Sequence, residues 1–358
     1  MRLAKYRVVL CGGGTGGHYY PVLSVAQRLA EEYETEFLYF TIAGRLDDER
    51  VEMDLPNVRK IPLKLKGLLR PIYNPKNIGI ILEHLEQMRL VKEEISKFKP
   101  DFLFSSGGYV SFPVVLAAKK LDIPIFLHEQ NALPGIANKR LAKYATKVFI
   151  SFEESASRFG KYAYKTCLTG NPVRKVSMSR EEIFNTLEFD PTKPFIVVMG
   201  GSQGSDFINE KMLQLYSSIC DDDGYQFLHV TGKGSNMEDF RKYPFVRVFE
   251  YIPNIHEYMA KADLVISRGG ATSVAEIMNY RRKAIIIPWS GAAENHQYYN
   301  AVSLEKVGLG YVILENAVTP ELLLSRIRDS LRKKTVVVPY EKEPVELIVE
   351  NLFREESR

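Results

Sequence analysis

His18 closes a glycine-rich run, Cys11-Gly12-Gly13-Gly14-Thr15-Gly16-Gly17-His18, which follows an apolar segment and leads into a helical pattern from Pro21. A neutral imidazole at such a mouth can accept a proton from an attacking hydroxyl near pH 7, and a helix start beside it favours the neutral ring. The glycines let backbone N–H groups approach an anionic ligand. Gly200-Gly201-Ser202-Gln203-Gly204-Ser205 repeats the arrangement after the apolar residues 195–199. Each half of the chain thus opens on a loop suited to a nucleotide or a sugar diphosphate. Gly12, Gly14 and Gly17 also satisfy the G-x-G-x-x-G spacing of dinucleotide sites. Such a site wants an acid at the tip of the second strand, and that strand ends Thr41-Ile42-Ala43-Gly44. The lysine of a phosphate-cleaving loop is missing too, because Gly17 is followed by His18. Both the oxidoreductase and the phosphate-cleaving readings therefore weaken.

Three further clusters carry polar chemistry at the ends of apolar segments. Ser105-Ser106-Gly107-Gly108-Tyr109 precedes a helix. His128-Glu129-Gln130-Asn131 ends another buried segment, where four polar residues are costly unless satisfied or functional. Bracing of the loops by an internal network is the plain alternative for His128. Adjacent strand residues face opposite ways, so His128 and Glu129 do not form a metal pair. In the second half, Ser267-Arg268-Gly269-Gly270-Ala271-Thr272 leads to Glu276 on the first turns of a helix. A carboxylate there suits a ribose diol, with helix-dipole complementation as its alternative. Pro288–Asn300 supplies amides, which donate to and accept from sugar hydroxyls.

The elements that must position these residues follow from short continuous apolar runs alternating with helical patterns. Strands are expected over 6–11, 36–42, 101–105, 124–128, 147–151 and 165–169, then over 194–199, 225–231, 245–249, 263–267, 283–287 and 311–314. Helices are expected over 21–33, 77–98, 112–121, 133–144, 207–219, 272–280 and 294–307. Continuous rather than alternating apolar strands imply parallel sheet buried on both faces. The fold class is α/β: two Rossmann-like doubly wound domains facing a central cleft. The joint is expected at Gly170-Asn171-Pro172-Val173, giving domains 1–171 and 172–342, with a last helix within 343–358 free to pack back on the first domain.

A chain of 358 residues can hold two cores, and 45% hydrophobic with 26% charged residues is a globular composition. Three cysteines without close spacing argue against a disulfide framework or zinc site. No signal peptide is visible, and no apolar run approaches the ~20 residues of a membrane span. Residues 1–172 carry a net charge of +7 and the remainder −3. The basic excess gathers in 55–82, where Lys60, Lys64, Lys66 and Arg70 alternate with leucines such as Leu68 and Leu69 and no acid intervenes. Cations mixed with leucines suit an anionic lipid surface, and a solvated loop is the alternative. Nucleic acid is not expected, with one aromatic, Tyr73, available to stack a base.

Gly12–Pro21, Gly107–Pro113, His128–Lys139, Gly170–Arg174, Gly200–Gly204, Arg268–Glu276 and Asn295–Ala301, taken in order, resemble the MurG family of bacterial N-acetylglucosaminyltransferases. The resemblance implies a glycosyltransferase B fold and a metal-independent, inverting transfer of N-acetylglucosamine from UDP-N-acetylglucosamine to O4 of the muramoyl sugar of lipid I. The products would be lipid II, for peptidoglycan, and UDP. It implies His18 as base, with Glu129 an open alternative. It implies donor contacts from Thr15, Gly16, Gly17, Asn131, Arg174, Ser202, Gln203, Gly270, Ala271, Thr272, Glu276, Gln297 and Asn300. Acceptor contacts are implied for Gly14, Gly108, Tyr109, His128 and Asn138. No cofactor is implied. A peripheral place on the cytoplasmic face of the membrane is, along with contacts to other cell-wall synthesis proteins. A transferase acting on another lipid acceptor, a UDP-N-acetylglucosamine epimerase and a non-catalytic nucleotide-sugar-binding protein remain as alternatives.

Overall fold

The computed structural model describes residues 5–66, 74–75, 77–201, 203–219, 224–333 and 342–353. The chain divides into two compact units, Met1–Val173 with Lys342–Arg358, and Arg174–Glu341. Of the residues singled out above, Ser202, Leu68, Leu69, Arg70 and Tyr73 lie outside the described residues.

The first unit is built on a parallel sheet of order β3-β2-β1-β4-β5-β6-β7. The strands are β1 (Lys5–Cys11), β2 (Glu34–Ile42), β3 (Arg59–Leu63), β4 (Phe102–Ser105), β5 (Ile125–Glu129), β6 (Lys147–Ile150) and β7 (Thr166–Leu168). Helices α1 (Gly16–Glu32), α2 (Leu46–Asp54), α3 (Asn77–Phe98), α4 (Ser111–Lys120) and α5 (Ile136–Leu141) connect them. Alternate residues of β1 feed two cores: Val9 and Cys11 join Leu38, Phe40 and Leu103 on one face, Val8 and Leu10 join Phe37, Tyr39 and Phe104 on the other. Burial on both faces is why these strands read as unbroken apolar runs. The last helix, α13 (Pro344–Phe353), seats Val345, Ile348, Val349 and Leu352 in the second of those cores, and Phe353 packs against Tyr6, Tyr33 and Phe102.

The second unit carries a parallel sheet of order β10-β9-β8-β11-β12-β13. In chain order its elements are α6 (Arg180–Leu187), β8 (Phe195–Met199), α7 (Asp206–Tyr216), β9 (Gln226–Val230), α8 (Glu238–Arg241) and β10 (Val246–Phe249). There follow α9 (Ile255–Lys261), β11 (Leu264–Ser267), α10 (Ala271–Asn279), β12 (Lys283–Ile286), α11 (His296–Lys306), β13 (Gly310–Val312) and α12 (Pro320–Arg332). In each sheet the strand order reverses between two neighbours, β1 and β4 in one, β8 and β11 in the other. Ligands of open α/β sheets bind in the crevice beyond the carboxyl ends of that strand pair. The four loops that leave those ends are Gly12–Thr15, Ser106–Val110, Gly200–Ser205 and Arg268–Gly270.

Several elements depart from the sequence reading. β3 lies inside the basic segment: Lys60 and Pro62 disguise it, but an edge strand tolerates both. The first helix starts at Gly16 rather than Pro21, because the Thr15 carbonyl accepts from His18 N at 3.2 Å and Tyr19 N at 3.1 Å. α6 opens on a capping box of Ser179 and Glu182 that the apolar pattern did not reveal. α12 opens on Thr319 with Pro320 behind it.

Candidate functional site

In the first unit the early start of α1 puts His18 in its first turn. The His18 Nδ1–H donates to the Ser106 carbonyl at 3.0 Å, and a carbonyl only accepts, so the neutral ring keeps its lone pair on Nε2. Ser106 Oγ donates back to the His18 carbonyl at 2.6 Å. Gly108, at φ +81°, lies against the ring; a Cβ there would stand 3.5 Å from His18 Cδ2 and 3.8 Å from Nε2. Tyr109 borders Gly14 in the same way, its hydroxyl 3.8 Å from where a Gly14 Cβ would be. Thr15 caps α1 without a side-chain bond and no acid enters the first turn, so the N–H groups of Gly16 and Gly17 face outward at a positive helix end. The structure therefore gathers His18, Gly108, Tyr109 and the start of α1 at one switch point.

The carboxylate found missing from the tip of β2 comes from five residues beyond it. Asp47, in the first turn of α2, is buried and folds back: Oδ2 accepts the Ile42 N–H and Oδ1 the Gly14 N–H, both at 2.7 Å. Burial pushes its pKa up, and the two N–H groups pull the other way. This corrects the expectation for Gly14, whose N–H is already satisfied and is not offered to a ligand. Asp47 also takes one loop N–H that a dinucleotide pyrophosphate would use, which weakens that reading further.

The His128–Asn131 cluster is a brace. His128 is fully buried; Gln130 Nε2 donates to its Nδ1 at 3.0 Å and its Nε2–H donates to the Gly170 carbonyl at 3.1 Å. Burial pushes its pKa down to about 4. With both nitrogens used, His128 has no atom for an acceptor, which corrects that expectation. Gln130 also donates to the Ser106 carbonyl at 2.8 Å, so the group that orients His18 is held from behind. Glu129 is buried and accepts four N–H donors: Asn131 N at 2.9 Å, Asn131 Nδ2 at 3.1 Å, Gly135 N at 3.0 Å and Asn138 Nδ2 at 2.8 Å. A carboxylate so occupied anchors the 131–138 loop and is poorly placed to take a substrate proton. Asn138 is 2% exposed beneath Gly107, its Nδ2 donating to Glu129 and to the His128 carbonyl, so it too supports the loop. Asn131 is half-buried with its amide directed by Glu129.

In the second unit Gly270 caps α10 without a side-chain bond, leaving the N–H groups of Ala271 and Thr272 at an uncapped, positive helix end. Gly269 is required there because a Cβ would strike the Gln297 carbonyl at 2.2 Å. Gly204, beside the exposed Gln203, passes within contact of the Thr231–Gly232 backbone, where a Cβ would meet Thr231 O at 2.5 Å. Arg174 and Glu276, both expected at the donor, pair with each other: Arg174 Nε and Nη2 donate to Glu276 Oε1 at 3.0 and 2.9 Å. Burial pushes the Glu276 carboxyl up and Arg174 offsets this. Gln297 is half-buried and accepts the Trp289 N–H on Oε1 at 3.0 Å. Asn300 is fully buried and donates to the Gly269 carbonyl at 3.0 Å, so it shapes the glycine turn.

Sequence reasoning missed three groups of supporting residues. Arg268 joins the Ser205 hydroxyl, the Ile287 carbonyl and Glu315. Tyr280, His256 and Glu257 clamp the Arg174 segment: Tyr280 Oη donates to the Arg174 carbonyl at 2.8 Å, His256 Nε2 to that of Lys175 at 3.2 Å, and Glu257 accepts the Ser177 and Met178 N–H groups. Asp47 is the third. Arg268 stands inside a glycine motif that does not reveal its partners, whereas Asp47, His256, Glu257 and Tyr280 are polar residues on or at the end of helices, outside any motif.

On the surface, α3 exposes Ile78, Ile81, Leu82 and Leu85, at spacing that places them on one helix face. Lys64 and Lys66 are exposed on the chain leading from β3. Lys60 is a correction: its ammonium is engaged by Glu52 at 2.8 Å and by Asp48. No described helix is long and apolar enough to cross a membrane.

Two doubly wound units with glycine loops at their switch points define a protein of the two-unit, Rossmann-like class. Residues 8–150 match the model of the glycosyltransferase family 28 N-terminal domain, and 195–351 that of its C-terminal domain. A Thermotoga neapolitana UDP-N-acetylglucosamine–N-acetylmuramyl-(pentapeptide) pyrophosphoryl-undecaprenol N-acetylglucosamine transferase is 37% identical over 350 residues, 98% of this chain and 99% of the relative. The chain belongs to that family of hexosyltransferases, the MurG family, within glycosyltransferase family 28. The crystal structure of Acinetobacter baumannii MurG superposes with TM-score 0.73 at 23% identity, covering 97% of this chain and 98% of that one. A putative UDP-N-acetylglucosamine 2-epimerase from Listeria monocytogenes reaches the same TM-score at 12% identity, covering 99% and 97%, so the fold alone does not separate transfer from epimerisation.

Proposed function

We propose that this chain transfers N-acetylglucosamine from UDP-N-acetylglucosamine to O4 of the muramoyl sugar of lipid I, forming lipid II for peptidoglycan and releasing UDP. His18 Nε2 takes the proton of the O4 hydroxyl as that oxygen attacks the anomeric carbon from the face opposite the leaving group. The bond from the anomeric carbon to the diphosphate oxygen breaks, and configuration inverts. The charge that develops on UDP is met by the N–H groups of Ala271 and Thr272 and by Arg174, released from Glu276 as the ribose takes that carboxylate. The outward N–H groups of Gly16 and Gly17 and the Tyr109 hydroxyl serve the ligand on the first unit, and Gln297 the transferred sugar. The exposed face of α3, with Lys64 and Lys66 beside it, supports a peripheral place on an anionic membrane, where the lipid acceptor resides.

In a chain of this family, the observation that carries the reading is the His18 tautomer, fixed by the Ser106 carbonyl with Nε2 left to accept. The test is UDP release with and without a lipid I analogue, beside His18→Ala. Acceptor-dependent release with a disaccharide product, lowered about 10²-fold or more in the variant, supports transfer and the base. Donor consumed without acceptor would assign epimerisation or hydrolysis instead.

A further inference from the structure

The chain has one tryptophan, and Trp289 is 51% exposed although hydrogen bonds anchor the loop that carries it. It lies three residues beyond β12, at the carboxyl edge of the sheet. Its N–H is held by Gln297 Oε1 at 3.0 Å, and Gln297 in turn abuts Gly269 at the start of α10. The next residue, Ser290, donates its N–H to Glu315 Oε2 at 3.0 Å, and the other oxygen of Glu315 takes Arg268 at 2.7 Å. The Trp289 carbonyl closes a turn on Ala292 N at 3.1 Å. Gly291 packs so tightly on the indole that a Cβ there would fall 2.8 Å from ring carbons Cε2 and Cζ2. A large ring packed against Gly291 with half its surface in water is an apolar platform on the loop that Gln297 holds beside the uncapped end of α10.

We propose that Trp289 stacks on the transferred sugar, its exposed face covering the apolar C–H face of the N-acetylhexosamine ring of the donor. A gluco-configured pyranose carries its hydroxyls at the rim and its axial hydrogens on the faces. One amide, Gln297, thus reads a rim hydroxyl while the indole covers a face. The proposal rests on the transferase reading above, since it needs a nucleotide-sugar on the second unit.

The sole tryptophan makes the full-length protein its own probe. Its emission is followed during titration with UDP and with UDP-N-acetylglucosamine, while calorimetry measures both affinities independently. Sugar contact gives a shift to shorter wavelength with UDP-N-acetylglucosamine that saturating UDP does not produce. Trp289→Leu and Trp289→Ala raise the donor KM about five- to tenfold and leave UDP affinity within about twofold, while Trp289→Phe stays near wild type. Leucine keeps apolar bulk without an aromatic face, so equal behaviour of the Leu and Phe variants overturns the proposal. An emission change that UDP alone reproduces, or one produced by anionic phosphatidylglycerol vesicles and not by the nucleotide-sugar, overturns it as well. If calorimetry shows both ligands bound and the ring silent, this proposal alone fails. If neither ligand binds, the transferase reading fails and takes this one with it.

Discussion

Arg174 and Glu276, 102 residues apart in sequence, share one oxygen: both the Nε and Nη2 of the guanidinium reach Glu276 Oε1, at 3.0 and 2.9 Å. Tyr280, one turn on from Glu276, fixes the Arg174 backbone through its hydroxyl. The pair is buried, so each partner makes the other tolerable. Removing Glu276 as Glu276→Ala leaves a cation in a poor solvent; denaturant unfolding is expected to show a loss of about 3 kcal/mol. Donor affinity measured by calorimetry should fall too. Retained donor affinity in a folded Glu276→Ala protein would remove Glu276 from the ribose.

Two substitutions of Glu129 separate anchor from base. Glu129→Ala strands four N–H donors and is expected to lower stability by about 2–4 kcal/mol. Turnover in Glu129→Gln, which keeps one accepting oxygen, should fall far less than in His18→Ala, because His18 takes the proton. An equal loss of turnover in the two folded variants would make Glu129 the base instead.

Asp47 holds the first glycine loop from outside it. Asp47→Ala frees the Gly14 and Ile42 N–H groups and is expected to cost about 2 kcal/mol in urea unfolding. The steady-state signature is a raised acceptor KM with donor affinity unchanged. If calorimetry shows donor affinity falling equally, the loop serves the donor.

His128 ties stability to pH. Its folded pKa is about 4 against an ordinary value of 6.5, so between those values only the unfolded chain takes the proton. Its contribution is intact above about pH 6.5 and declines as pH falls toward 4, about 2 kcal/mol between pH 7 and pH 5. His128→Gln should shrink the pH 7-to-5 loss by about that amount in paired denaturant titrations.

Membrane attachment is tested on the described face. Replacing Ile81, Leu82 and Leu85 of α3 by Ser, together with Lys64→Gln and Lys66→Gln, should weaken sedimentation with anionic vesicles at least tenfold. Turnover on a short soluble acceptor should be retained. Undiminished sedimentation would move the contact elsewhere.

The parallel α/β architecture was legible in the chain because strands buried on both faces must be apolar without interruption, as in Val8–Leu10 and Phe195–Met199. The glycine loops were legible because backbone contact at the switch points tolerates no Cβ, Gly269 against Gln297 being the sharpest case. His18 stood out for the same reason: a polar side chain directly after such a loop has few other places to be. Composition also told of a basic, leucine-bearing segment. It did not tell that part of it is the edge strand β3, since an edge strand lacks the buried apolar signature.

What each polar side chain does was decided only by the tertiary structure. His128, Glu129, Asn138 and Asn300 have the types expected of ligand contacts, but the fold engages His128, Glu129 and the amide N–H groups of Asn138 and Asn300 with partners of its own. Asp47 and Glu315 belong to no signature, yet with Gln130 they hold the loops that carry the exposed groups. A motif records residue type and spacing along one loop, whereas a hydrogen bond depends on which distant backbone arrives beside it. Chain folding brings Ser106 to His18 across 88 positions and Glu276 to Arg174 across 102, and local patterning carries no trace of such separations.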